Sequence, residues 1–345
     1  MLKQTTDAAK ALAIMAVVAI HLIGILYSFF PAQSPAWNVL FVLNLASRFS
    51  VPLFVALSGL AFGIKYAGGK IDIKEFYTKR AIKILPLYLF WSGVIYLVVH
   101  IIPGWSGYAD SSPWWQLIFL GRTDYHLYFV PMIFQLYLLF PLFLYLTRRL
   151  SQWFLMFTFL VQVTTQVITK YLGWGDQGQY LFFGTWIFYF VLGIYLSGEN
   201  VIAGIASWAR RVTIPVMVFG LVWLVVSSFG LVASGQDVID ITRFTRFPVI
   251  VYSLGVMMAI FIWGDRIIGV LGKLGQGLST IGKQSYLIYL CHTIILKILF
   301  AFIMGGQDII RLAEATLVVL AAIILPGAVS RSKIWSTAKS PESRH

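Results

Sequence analysis

Apolar runs of membrane-spanning length recur along the whole chain, and short polar stretches between them collect the basic residues. A helix needs about 20 mostly apolar residues to cross a hydrocarbon core. By that measure the sequence predicts spans over 8–30, 39–64, 82–102, 127–146 and 153–172, then 180–196, 213–233, 247–264, 280–303 and 313–329. The implied fold class is an all-α polytopic membrane protein of about ten transmembrane helices. One membrane domain is expected over 1–332, with a polar cytoplasmic tail over 333–345. The stretch 113–120 is too short to span and rich in tryptophan, which places it at the interface. The first run follows Lys3 and Lys10 as a signal peptide would. No small-residue cleavage site follows it cleanly, so it is read as a retained span.

Composition supports this pattern. The 345 residues are 59% hydrophobic and only 11% charged, against about 25% charged in soluble domains. A water-facing surface cannot be built from so few charges, so lipid must cover much of the exterior. A formal charge of +13 would suggest nucleic acid as the partner of a soluble protein. Here the cations sit in short loops, where they set orientation by the positive-inside rule, and no nucleic-acid partner is expected. With the N-terminus inside, the cytoplasmic ends carry Lys3, Lys10, the basic loop 65–83, Arg148, Arg149, Arg210, Arg211, Arg266, Lys273 and Lys283. External loops keep Arg122, Arg243, Arg246 and Arg311. An even number of spans then puts both termini in the cytoplasm. The single cysteine, Cys291, lies in an apolar run, which excludes an internal disulfide framework and a cysteine-rich zinc site. No metal is expected, and no Walker-type or dinucleotide glycine motif supports ATP or NAD.

Ionisable groups inside spans are costly and mark candidate chemistry. His21 sits among Val17, Val18, Ile20, Leu22 and Ile23 in the middle of the first span. Lys10 precedes it by eleven residues, three helical turns plus about 20°, so both share one face roughly 16 Å apart along the axis. Asp7 lies about 40° off the same stripe and is an i, i+3 neighbour of Lys10. Taken singly, the histidine also fits a packing role and the lysine a snorkelling anchor. Ser285, Tyr289 and His292 form a second stripe at i, i+4 and i+7, fit for hydrogen-bonded helix packing or for a site. The loop 65–83 suits anionic lipid or the phosphates of a nucleotide-like donor, with Arg80 and Lys83 as candidates. Arg48, near the outer end of the second span, either snorkels or reaches a carbonyl, carboxylate or sugar, and Ser58 follows it. Gln135 and Tyr137 line helix contacts, and Gln135 is a candidate for a sugar-like acceptor. Gln162, Thr164, Thr165 and Gln166 read as helix contacts, while His100 and His126 at external helix ends need no special explanation.

Taken in order, these segments resemble the acyltransferase 3 family of bacterial membrane acyltransferases. Asp7-Ala8-Ala9-Lys10, ten residues, then His21 is similar to the family's opening motif. The run from Arg48 to Phe54 with Ser58-Gly59, that from Lys79 to Tyr88, that from His126 to Pro131, and that from Ser285 to His292 resemble its later ones. Lys10 and Lys83 stand where arginine is usual, which keeps the charge and loses the bidentate fork.

The resemblance implies an acyl-CoA donor, most often acetyl-CoA, and O-acylation of an extracytoplasmic glycan or glycolipid at the bacterial cytoplasmic membrane. On that reading His21 is the general base and Asp7 orients Lys10. Lys10, Arg80 and Lys83 bind the donor. Arg48, Ser58, Gln135, Ser285, Tyr289 and His292 are candidates for the acceptor or the oxyanion. Direct transfer and an acyl-histidine relay both stay open. The rival reading is an exporter of polysaccharide or lipid-linked sugar, disfavoured by the absence of a visible inverted repeat.

Overall fold

The computed structural model describes residues 3–101, 112–198 and 201–304, and among them all regular structure is helical. In chain order the helices are α1 (Lys3–Leu26), α2 (Pro35–Ala46), α3 (Ser50–Lys65), α4 (Ile73–Ile101), α5 (Trp114–Phe119), α6 (Phe129–Leu150) and α7 (Gln152–Tyr171). They continue with α8 (Asp176–Leu181), α9 (Ile187–Leu196), α10 (Val201–Ala233), α11 (Val238–Ile241), α12 (Phe247–Leu271), α13 (Lys273–Lys283) and α14 (Ser285–Met304). The predicted span 313–329, Arg311 and the tail 333–345 lie outside the described residues.

Among the described residues six stretches are long and apolar enough to cross a membrane: Lys3–Phe29, Pro35–Lys65, Ile73–Val98, Phe129–Leu150, Trp208–Ala233 and Phe247–Leu271. Three other predicted spans take different forms. The 153–172 run is a 20-residue helix, α7, whose glutamines and threonines lower its hydropathy. The 180–196 run breaks into α8, a 3₁₀ turn over Phe183–Thr185 and the ten-residue α9, which is about 15 Å long and cannot cross alone. The 280–303 run breaks at Gln284, between α13 and α14. A break also falls inside the second span, at 47–49 between α2 and α3. There Ser47 N–H donates to the carbonyls of Leu43 and Asn44, and Ser50 N–H donates to that of Ser47. Pro52 sits in the first turn of α3, where its missing N–H leaves no intrahelical bond unmade.

The described residues group into two compact units, one of residues 1–40 with 265 onward, the other Phe41–Gly264. In the first, α1 packs against α13 and α14. Alanines at 8, 9, 11, 13, 16 and 19 favour helix and keep α1 slim. A Cβ added at Gly282 would stand only 1.6 Å from the Asp7 carbonyl oxygen, so α13 reaches α1 backbone to backbone.

In the second unit the buried α9 is the hub for α3, α6 and α7. Gly59 of α3 and Gly193 of α9 make the approach possible, since a Cβ on either would lie 2.0 Å from a carbonyl oxygen of the other helix. The polar side chains of α7 serve the broken backbone before and at the start of α9. Gln162 Oε1 accepts the Phe188 N–H at 3.2 Å, and Gln166 Nε2 donates to the Thr185 carbonyl at 3.4 Å. Helices α10 and α12 meet across Gly220 and Gly255.

Candidate functional site

The opening and closing motifs converge in the first unit. Lys10 Nζ donates to Asp7 Oδ1 at 3.0 Å, with Asp7 buried and Lys10 partly so. The approach of Gly282 to the Asp7 carbonyl fixes the backbone that carries this pair. Farther along α1, the half-buried His21 ring lies 5.1 Å from the His292 ring, centroid to centroid, at an interplanar angle of 35°. His292 is only 2% exposed. Its Nδ1 lies 2.8 Å from the Tyr289 carbonyl oxygen and 3.2 Å from that of Ile288. Carbonyls only accept, so Nδ1 carries the hydrogen. The Tyr289 ring stands 6.1 Å from that of His292, and Ser285 is buried at the first position of α14.

Arg48 occupies the α2–α3 break of the second unit and does not snorkel: it is 8% exposed. Its Nε and Nη2 both donate to Asn44 Oδ1, at 3.0 and 2.5 Å. Its guanidinium lies 4.9 Å from the centre of the Phe244 ring, an attraction worth more when desolvated. The Phe244 N–H donates to the Tyr180 hydroxyl at 3.2 Å, and Trp186 and Tyr128 pack around Tyr180. The Tyr252 hydroxyl donates to the Ala46 carbonyl at 2.9 Å and ties α12 to the break. Nearby, Arg246 donates to the hydroxyls of Ser227 and Ser228, and burial lowers its guanidinium from the ordinary arginine value.

Other residues singled out by the sequence take up separate positions in this unit. Arg80 lies over the Phe62 and Phe76 rings at 5.0 and 5.9 Å, and its buried Nε has no hydrogen-bond partner among the described residues. Lys83 is exposed on α4. Ser58 Oγ donates to the Phe54 carbonyl at 2.9 Å and accepts from the Tyr137 hydroxyl at 3.4 Å. Gln135 Nε2 donates to the carbonyls of Leu181 and Pro131, and its Oε1 accepts the Phe183 N–H, so its amide ties α6 to the 181–183 segment.

His126, which the sequence places at an external helix end with no special role, is buried in the structure. It is 3% exposed and pairs with Asp124, itself 1% exposed, at 3.7 Å between Nδ1 and Oδ2. The hairpin-like approach to α6 depends on Gly121, at φ +65°, where a Cβ would lie 2.6 Å from the Leu127 carbonyl. An aspartate two positions before the histidine was the available signal. Among the described residues no group of three or more metal-ligating side chains forms.

A family model described as an acyltransferase domain matches residues 5–331. No curated protein and no solved structure matches the chain.

Proposed function

The chain belongs to the acyltransferase 3 family and is a membrane acyltransferase, and from that premise we propose that it moves an acyl group, acetyl first, from cytoplasmic acyl-CoA to a hydroxyl of an extracytoplasmic carbohydrate or glycolipid. The supporting observation is the polar line along α1: the Asp7–Lys10 pair and, roughly 16 Å farther on, the imidazole of His21. Lys10, held by Asp7, binds a phosphate of the donor. The pantetheine arm spans a comparable length, so its thioester comes to His21. His21, whose ordinary pKa lies near neutrality, takes the proton of the acceptor hydroxyl. The oxygen attacks the thioester carbonyl, a tetrahedral oxyanion forms, and its collapse expels the CoA thiolate, which takes up the proton. The ester C–O bond forms as the C–S bond breaks.

Arg80 and Lys83 are proposed donor-phosphate ligands of the second unit. Arg48, held among aromatic rings, is its proposed anchor for a sugar-like acceptor. The basic residues of the sequence support ten crossings of the bacterial cytoplasmic membrane with both termini on its cytoplasmic side. The test is acetyl-CoA turnover by the purified protein together with mass analysis of cell-envelope glycans. His21→Ala should lower turnover about 10²-fold or more and remove the acyl mass from the glycan while expression is kept. A protein that neither consumes acetyl-CoA nor is stabilised by CoA contradicts the reading and fits an exporter instead.

A further inference from the structure

His292 and His21 lie at opposite ends of the sequence, yet their rings are in contact inside one compact unit. The bond geometry of His292 determines its chemistry. Its Nδ1 hydrogen is committed to the carbonyls of Ile288 and Tyr289, so in the neutral ring Nε2 is the nitrogen with the lone pair. Nδ1 faces back along its own helix, and Nε2 lies on the opposite side of the ring. The 5.1 Å centroid separation is a ring contact in which Nε2 makes no hydrogen bond to His21, and a turn of the half-buried His21 ring about its side-chain torsions would bring a ring nitrogen within reach of Nε2. An activated base is ordinarily oriented by a third group that accepts its second N–H. We propose that His292 is the positioning residue for His21, a neutral imidazole doing the work that a carboxylate does in a triad. This rests on the reading of His21 as the base.

The proposed chain runs from acceptor hydroxyl to His21, from the other His21 N–H to His292 Nε2, and from His292 Nδ1–H to backbone carbonyl. No net charge is buried at rest, which suits a low-dielectric site better than a carboxylate does. When His21 takes the acceptor's proton, its imidazolium donates to the His292 lone pair and is stabilised by it. Other titratable groups on the packed helices are Asp7, Lys10 and the exposed Lys3 on α1, Lys273 and Lys283 on α13, and Tyr286, Tyr289, Cys291 and Lys297 on α14. The Asp7–Lys10 pair is three turns away, and Lys273 and Lys283 are exposed. Tyr289 and Cys291 are the buried neighbours of His292.

The experiment is ¹⁵N NMR of the histidine rings in the full-length protein in detergent, where five histidines can be assigned by single substitution. His292 should be the Nδ1–H tautomer. In His292→Leu, which removes the acceptor, the His21 titration midpoint should fall by about half a pH unit or more, and His292→Gln, which restores an acceptor oxygen, should recover part of the shift. Acetyl-CoA turnover should follow, with kcat about tenfold lower in the leucine variant, KM for acetyl-CoA unchanged, and partial rescue by glutamine. An Nε2–H tautomer, an unmoved midpoint, or a midpoint that rises overturns the proposal and leaves His292 as packing. If His292→Leu does not fold, the wild-type tautomer and the glutamine variant decide alone. Full turnover in His21→Ala would instead remove the base reading, a result distinct from any of these.

Discussion

Lys10 meets Asp7 at 3.0 Å on one face of α1, and a phosphate arriving there would add a second anion to the same ammonium. Lys10→Met should therefore raise KM for acyl-CoA about tenfold, the scale of a charge-assisted hydrogen bond, with kcat little changed. Lys10→Arg should keep the affinity. Steady-state kinetics over a range of acyl-CoA concentrations separates the two. Arg48 poses a different question, because its partner Asn44 is buried. Arg48→Leu strands that acceptor and should cost about 2 kcal/mol or more of stability, read as a lowered unfolding midpoint in detergent. Residues related by helical period were legible before folding: Asp7, Lys10 and His21 lie on one helix, and counting at 100° per residue puts them on one face. The His21–His292 contact and the Asp124–His126 burial depend on which helices meet, and neither periodicity nor composition carries that information.

At the scale of elements, close helix approach is concentrated at a few glycines. Gly59→Ala or Gly193→Ala places a methyl against a facing carbonyl and should destabilise the second unit by about 1–3 kcal/mol. Gly282→Ala presses on the Asp7 carbonyl and should also weaken donor binding. Gly230→Ala is the control, since nothing lies within 4 Å of its added Cβ and α10 should be neutral to slightly stabilised. Thermal unfolding of the four variants ranks them. The helix breaks at 47–49 and at Gln284 were invisible to hydropathy, because a window of spanning length averages across them. Short α9 escaped for the same reason: its ten residues merge with the apolar approach from Tyr180. What the pattern did reveal was helix as the element type of the described residues, and the long uninterrupted spans.

For the whole molecule, the distribution of basic residues is the basis for direction across the membrane, with six described stretches able to cross and ten crossings proposed. Cys291 is the single cysteine and is buried, so Cys291→Ala gives a background for labelling. A cysteine at Lys70 should react with an impermeant maleimide from the cytoplasmic side only, and one at Gly235 from the external side only. Labelling of both from one side contradicts the proposed threading. A donor taken from the cytoplasm and an acceptor met outside both require that threading. Acyl transfer through His21 is tested most directly by thiol release from acetyl-CoA by the purified protein, compared with His21→Ala at equal expression. The native protein should release thiol, and the variant should lose about 10²-fold or more of that rate. Equal release by both, or none by either, contradicts acyl transfer through His21.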